Sequence, residues 1–81
     1  MAAGALGGMV EALARGLVDH PERVEVTEER EGDATVVSVY VAEEDLGQVI
    51  GRGGRIARAL RTVLRAAATA RGERATLEIV D

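Results

Sequence analysis

Cysteine and lysine are absent from this chain of 81 residues, and so are phenylalanine and tryptophan. Without cysteine there is no disulfide framework and no thiolate metal site. With Tyr40 as the single aromatic, there is no platform for stacking successive bases. One histidine (His20) and one serine (Ser38) do not assemble a convincing nucleophile–base constellation, so no enzyme is expected. No apolar run approaches the roughly 18 residues that a membrane helix needs. The N-terminus also lacks a basic segment followed by a long apolar one. Neither membrane insertion nor secretion is expected, and the cytoplasm is the default location.

What is present is aliphatic and charged. Hydrophobic residues make up 47% of the chain, but 14 of them are alanine. The core must therefore be thin, built from Val, Leu and Ile in one small domain near the lower limit for independent folding. Such a domain gains much from dimerising or docking on a partner. The net charge is −4, and it is unevenly spread. Residues 1–49 hold three arginines and eleven acidic residues, whereas residues 50–74 hold seven arginines against Glu73 alone. Screening over about 8–10 Å lets the basic segment act largely independently of an acidic face across the domain. Arginine in place of every lysine reflects base composition more than function; a phosphate-binding reason applies only to arginines that share a face.

Periodicity divides the chain without a linker or repeat. Residues 1–8 are rich in Gly and Ala and are expected to form a flexible extension. Val10, Leu13, Leu17 and Val18 recur at helical spacing from Met9 to the Asp19-His20-Pro21 stop. Val24 and Val26 alternate with polar residues, Glu31-Gly32-Asp33 turns the chain, and Thr35 to Val41 alternates again. Glu43-Glu44-Asp45 suits the first turn of a short helix reaching about Val49. A long helix follows from about Arg55 to Arg71, ended by Gly72. Ile56, Leu60, Val63, Leu64 and Ala67 share one side of it, and Arg55, Arg58, Arg61 and Arg65 the other. Ala75 to Val80 reads as the last strand. The order αββααβ predicts an α+β layer, three strands with helices on one face.

Between the second and third helices lies Val49-Ile50-Gly51-Arg52-Gly53-Gly54-Arg55-Ile56. Glycines three apart permit a tight turn, and the turn exposes main-chain N–H groups at the positive end of a helix dipole. That is an anion site, against which a sugar-phosphate chain can lie beside aliphatic side chains. Spacing alone is weak evidence. Ten glycines make roughly one such match expected by chance, and Gly4-Ala5-Leu6-Gly7 supplies it. The bland readings are a structural turn for the loop and a solvated face for the arginines. His20 reads as a helix-end residue capping carbonyls, and Glu43-Glu44-Asp45 as a helix start. A Walker motif is excluded, because no lysine and Ser/Thr follow the glycines.

The glycine loop with its flanks, Leu17-Val18-Asp19-His20-Pro21-Glu22 and Ala57-Arg58-Ala59-Leu60-Arg61-Thr62-Val63, resembles the prokaryotic (type II) KH domain. The similarity is to small single-KH bacterial proteins of the KhpA type, over about residues 9–80. The resemblance implies a single KH domain over residues 9–81 that binds single-stranded RNA without cofactor, metal or small-molecule substrate. About four nucleotides would lie in a groove clamped by the loop. Ile50, Gly51, Arg52, Gly53, Gly54, Arg55, Ile56 and Arg58 are the expected RNA-binding residues. Val49 and the Val36 to Val41 strand are further expected contributors to the groove floor. Arg61 and Arg65 face either RNA or a protein partner. Gly53 is a third glycine where the family tolerates many polar residues, and it is expected to loosen the loop. Homodimerisation and association with a larger KhpB-type KH protein are also implied. That leaves two rival readings: a module for assembly with itself or a KhpB-type protein, or a small-nucleotide sensor that binds mononucleotides as well as oligomers.

Overall fold

The computed structural model describes residues 4–81, so only Gly4 to Gly8 of the expected extension can be compared with it. Six elements follow one another: α1 (Ala5–Leu17), β1 (Glu25–Glu31), β2 (Ala34–Tyr40), α2 (Leu46–Ile50), α3 (Arg55–Ala70) and β3 (Arg74–Val80). Short helical turns at Pro21–Arg23, Glu43–Asp45 and Arg52–Gly54 fill the joints. The strands form one sheet in the order β1-β2-β3, with β1 antiparallel and β3 parallel to β2. This is the α+β arrangement that the periodicity predicts.

Alternation along the strands sends one set of side chains toward the helices and the other outward. Val26, Val37, Val39 and Leu77 are buried beneath α1 and α3, against Leu6, Val10, Ala14, Leu60, Leu64 and Ala68. Every one of these residues is aliphatic, as the composition requires. The outward rows pair Glu25 with Tyr40, Thr27 with Ser38 and Glu29 with Val36, and continue to Val80, Glu78 and Thr76 on β3. Four glutamates, Glu25, Glu29, Glu31 and Glu78, therefore stand on the face turned away from the helices.

The first helix starts four residues before Met9. Gly4 offers no side-chain cap, so the sequence shows no local start signal. The cap comes from across the fold: the Glu28 carboxylate on β1 accepts the Gly7 N–H at 2.8 Å. A carboxylate at this end satisfies an orphan donor and suits the helix dipole. Residues 5–8, expected in an extension, are thus a packed first turn, with Leu6 and Gly7 buried. At the other end of the chain Gly72 ends α3 as expected. With φ of 71° it lets Glu73 N–H reach the Ala68 carbonyl and its own N–H reach Thr69, the paired bonds of a Schellman motif.

Candidate nucleic-acid interface

Three glycines with positive φ make the loop between α2 and α3: Gly51 at 77°, Gly53 at 64° and Gly54 at 79°. Gly51 combines that φ with ψ of 167°, a region open essentially to glycine alone. A Cβ there would sit 2.7 Å from Ile56 Cγ1 and 2.8 Å from the Ile56 nitrogen. Its role is close approach: the loop folds directly onto the first turn of α3. Gly53 points into open space, and its left-handed backbone is one that a polar residue enters only at some cost. Glycine there relieves strain.

The turn uses part of its own donor set. Gly51 N–H bonds to Gly47 O at 2.9 Å, Gly54 N–H to Gly51 O at 3.0 Å, and Arg55 N–H to Arg52 O. Among the described residues, Arg52 and Gly53 N–H have no backbone or side-chain acceptor. A tight turn closes by bonding its last donor back to its first carbonyl, so of the four amides of residues 51–54 two stay open. Both belong to exposed residues at the head of α3. Arg58 reaches back to brace this segment, its Nη1 donating to Gly53 O at 2.9 Å.

Among the described residues, the arginines are either paired or free of a carboxylate, and Arg23 in the turn before β1 and Arg30 on β1 are exposed and free like those of α3. Arg15, Arg71 and Arg74 pair with Glu11, Glu73 and Asp33. Among the described residues, Arg52, Arg55, Arg58, Arg61 and Arg65 are exposed and have no carboxylate within bridging distance. Arg61 and Arg65 lean over β3, lining a hollow with Ala75, Thr76 and Leu77. On the other flank of α3, Ile56, Ala59 and Val63 line an apolar groove of about 500 Å³ with Ala12, Leu13, Gly16 and Leu17 of α1. Leu13, Leu17 and Val63 are 39%, 36% and 45% exposed there. Val63, expected among the inward residues, stands at the edge, and Ala57 and Ala68 take the buried positions instead. An amphipathic helix of 16 residues has two shoulders, and periodicity does not say which apolar residues occupy them.

The expected aliphatic floor also changes. Val49, Val37 and Val39 are fully buried and face the core, out of reach of any base. Ile50, 40% exposed, and half-buried Ile56 remain at the surface. Tyr40 is exposed on the outer face of the sheet, in the row of Glu25 and Val80.

One pair carries no signal in the sequence. Asp45, read there as part of a helix-starting acidic cluster, is 1% exposed, and its Oδ2 accepts both the His20 N–H and the ring Nδ1–H, each at 3.0 Å. His20 therefore caps no carbonyl. Its hydrogen bond to Asp45, with the nearby Glu44 and Glu22 charges, raises its pKa above the ordinary 6.5 despite some desolvation. For Asp45 desolvation is the largest influence and acts upward. The hydrogen bonds from the His20 ring and backbone, the His20 charge and a backbone bond from Asp19 act downward, and the net effect holds the carboxyl below its ordinary 3.8. Nothing local distinguishes Asp45 from Glu43 and Glu44; only the helical turn that rotates it inward does.

Comparison with known proteins bears on the family and the fold. The family described as KhpA/KhpB, KH domain, matches residues 8–79. RNA-binding protein KhpA of Aquifex aeolicus is 50% identical over 78 residues, 95% of this chain and 98% of the relative. Its counterparts in Treponema pallidum and Halalkalibacterium halodurans are 48% and 45% identical over 73 residues, 90% of this chain in each case and 91% and 96% of the relatives. A crystal structure of a variant of Aquifex aeolicus Era bound to GDP and aluminium fluoride superposes with a TM-score of 0.67 at 19% identity. It covers 91% of this chain and 29% of the Era chain, and speaks for the fold alone. Coverage and identity of this order, with the glycine turn built as described, make this chain a member of the KhpA/KhpB family of KH domains.

Proposed function

We propose that this chain is a non-catalytic module that holds about four nucleotides of single-stranded RNA beside the 51–54 loop, acting on transcripts as a regulator or RNA chaperone. The observation that carries the reading is the pair of open amides, Arg52 and Gly53, beneath unpaired arginines. A helix N-terminus with free donors attracts anions, and the outward glutamates of the sheet repel RNA from the opposite face. Arg52 and Arg55 supply charge to the phosphates, Arg58 braces the loop, and Ile50 and Ile56 give bases an apolar contact. The curated relatives are RNA-binding proteins by name, and the family is non-enzymatic, which supports the same reading.

Replacing Arg52 and Gly53 together by aspartate tests it. RNA affinity should fall about 100-fold or more, since two phosphate donors become flanked by like charge. Melting should stay cooperative, because aspartate tolerates a left-handed backbone better than most residues. Three or four neutralised phosphates give a log–log salt slope of roughly −2 to −3 for the unmodified protein. A slope near zero would contradict the site.

A second reading rests on a separate observation, the apolar groove between α1 and α3. Leu13, Leu17 and Val63 at its rim suit a second copy of this chain or a KhpB-type KH domain. Weak binding by one module then becomes useful through two linked sites. Val63→Glu should abolish association measured by sedimentation, and the double aspartate variant should leave it intact. The reverse pattern would assign assembly to the loop.

A further inference from the structure

A helix of five residues cannot hold its own place, because the first hydrogen-bonded turn costs more entropy than it returns. The helix α2 is that short, yet it delivers the 51–54 loop. Side-chain hydrogen bonds from the α1–β1 connection hold it at two points. The residue just before it, Asp45, takes both His20 donors, and Gln48 within it donates to the Asp19 carboxylate at 3.2 Å. The buried Asp45 carboxylate is the stronger tether, being charged and shielded from water.

We propose that the His20–Asp45 pair is a positioning clasp that sets the approach of α2, and so the presentation of the Arg52 and Gly53 amides, with a grip that follows the protonation of His20. The proposal rests on the RNA reading of the loop. Among the described residues, the charges acting on His20 are acidic: Asp45 and Glu44 ahead of α2, and Glu22 in the turn after His20. Protonated His20 makes a charge-assisted bond to Asp45; neutral His20 keeps a weaker one. His20 binds its proton more tightly in the folded chain than in the unfolded one. The stabilisation is therefore complete below the ordinary histidine value and is lost as pH rises through the raised folded value. For Asp45 the contribution is present above the ordinary carboxyl value and is lost as pH falls through its lowered one. The clasp is tightest between those limits.

With one histidine and no cysteine, His20 is the only side chain whose ordinary titration falls near neutrality, which makes a pH profile diagnostic. Two measurements are made from about pH 5.5 to 8.5: affinity for a random-sequence single-stranded RNA decamer at fixed salt, and the amide NMR shifts of Gly51, Gly53 and Gly54 without RNA. In the unmodified protein the three amides should move with the His20 midpoint, and affinity should weaken about threefold to fivefold as pH rises. His20→Asn, which keeps a neutral donor at the Nδ1 position, should remove the pH dependence of both while staying folded. His20→Ala should be pH-independent at the weaker limit. Loop amides indifferent to His20, RNA affinity that stays flat while they move, or a His20→Asn protein that keeps the pH slope would each overturn the clasp. Absence of RNA binding at every pH would overturn the RNA reading instead, and the amide titration would still judge the clasp's hold on the loop.

Discussion

Two stretches of this chain share the spacing Gly-x-x-Gly, and each stands at the head of a helix. At residues 4–7 the amide of Gly7 is already matched, because Glu28 on β1 brings its carboxylate to 2.8 Å. At residues 51–54 the Arg52 and Gly53 amides meet no carboxylate, and the charged residues of the loop and the first turn of α3 are arginines. The first motif carries its own anion. The second brings no carboxylate to its donors, and three glycines with positive φ shape its backbone. The difference between a structural turn and a binding loop lies in which part of the fold faces the donors, not in the glycine spacing.

Substitutions can break the comparison at several depths. The largest effect is expected from Gly51→Ala, whose Cβ would overlap Ile56 and occupy a backbone region closed to alanine. It should cost about 3 kcal/mol or more in urea unfolding. Gly4→Ala needs only the end of the Glu28 side chain to shift and should cost less than about 1 kcal/mol. Glu28→Ala removes the anion from the first motif and should cost about 1 kcal/mol, the usual value of a lost helix cap. It should speed amide exchange at Gly7 and Gly8 without altering RNA affinity. The smallest effect has the opposite sign. Gly8→Ala meets no atom within 4 Å, lies on the exposed side of α1, and should stabilise by about 0.5–1 kcal/mol.

The same contrast explains what was legible in the sequence. Strand alternation, the Asp19-His20-Pro21 stop and the Gly72 stop are local signals, and the elements they delimit lie close to where they were expected. The start of α1 was not legible, since its cap is donated by a residue 21 positions away. Burial of Asp45 was hidden inside an acidic run, because one carboxylate turned inward looks like its neighbours. The loop was visible as glycines, but how many amides stay open depends on backbone angles that composition does not encode. The arginine row was visible as a row; that its members lack partners while Arg71 and Arg74 have them became evident only with the acidic residues in place.

Backbone amide NMR during titration with single-stranded RNA reads the 51–54 loop and the head of α1 in one experiment. The Arg52 and Gly53 amides should shift most and gain protection from exchange, while Gly7 and Gly8 stay still. RNA that binds without moving the Arg52 and Gly53 amides would contradict the RNA reading of the loop.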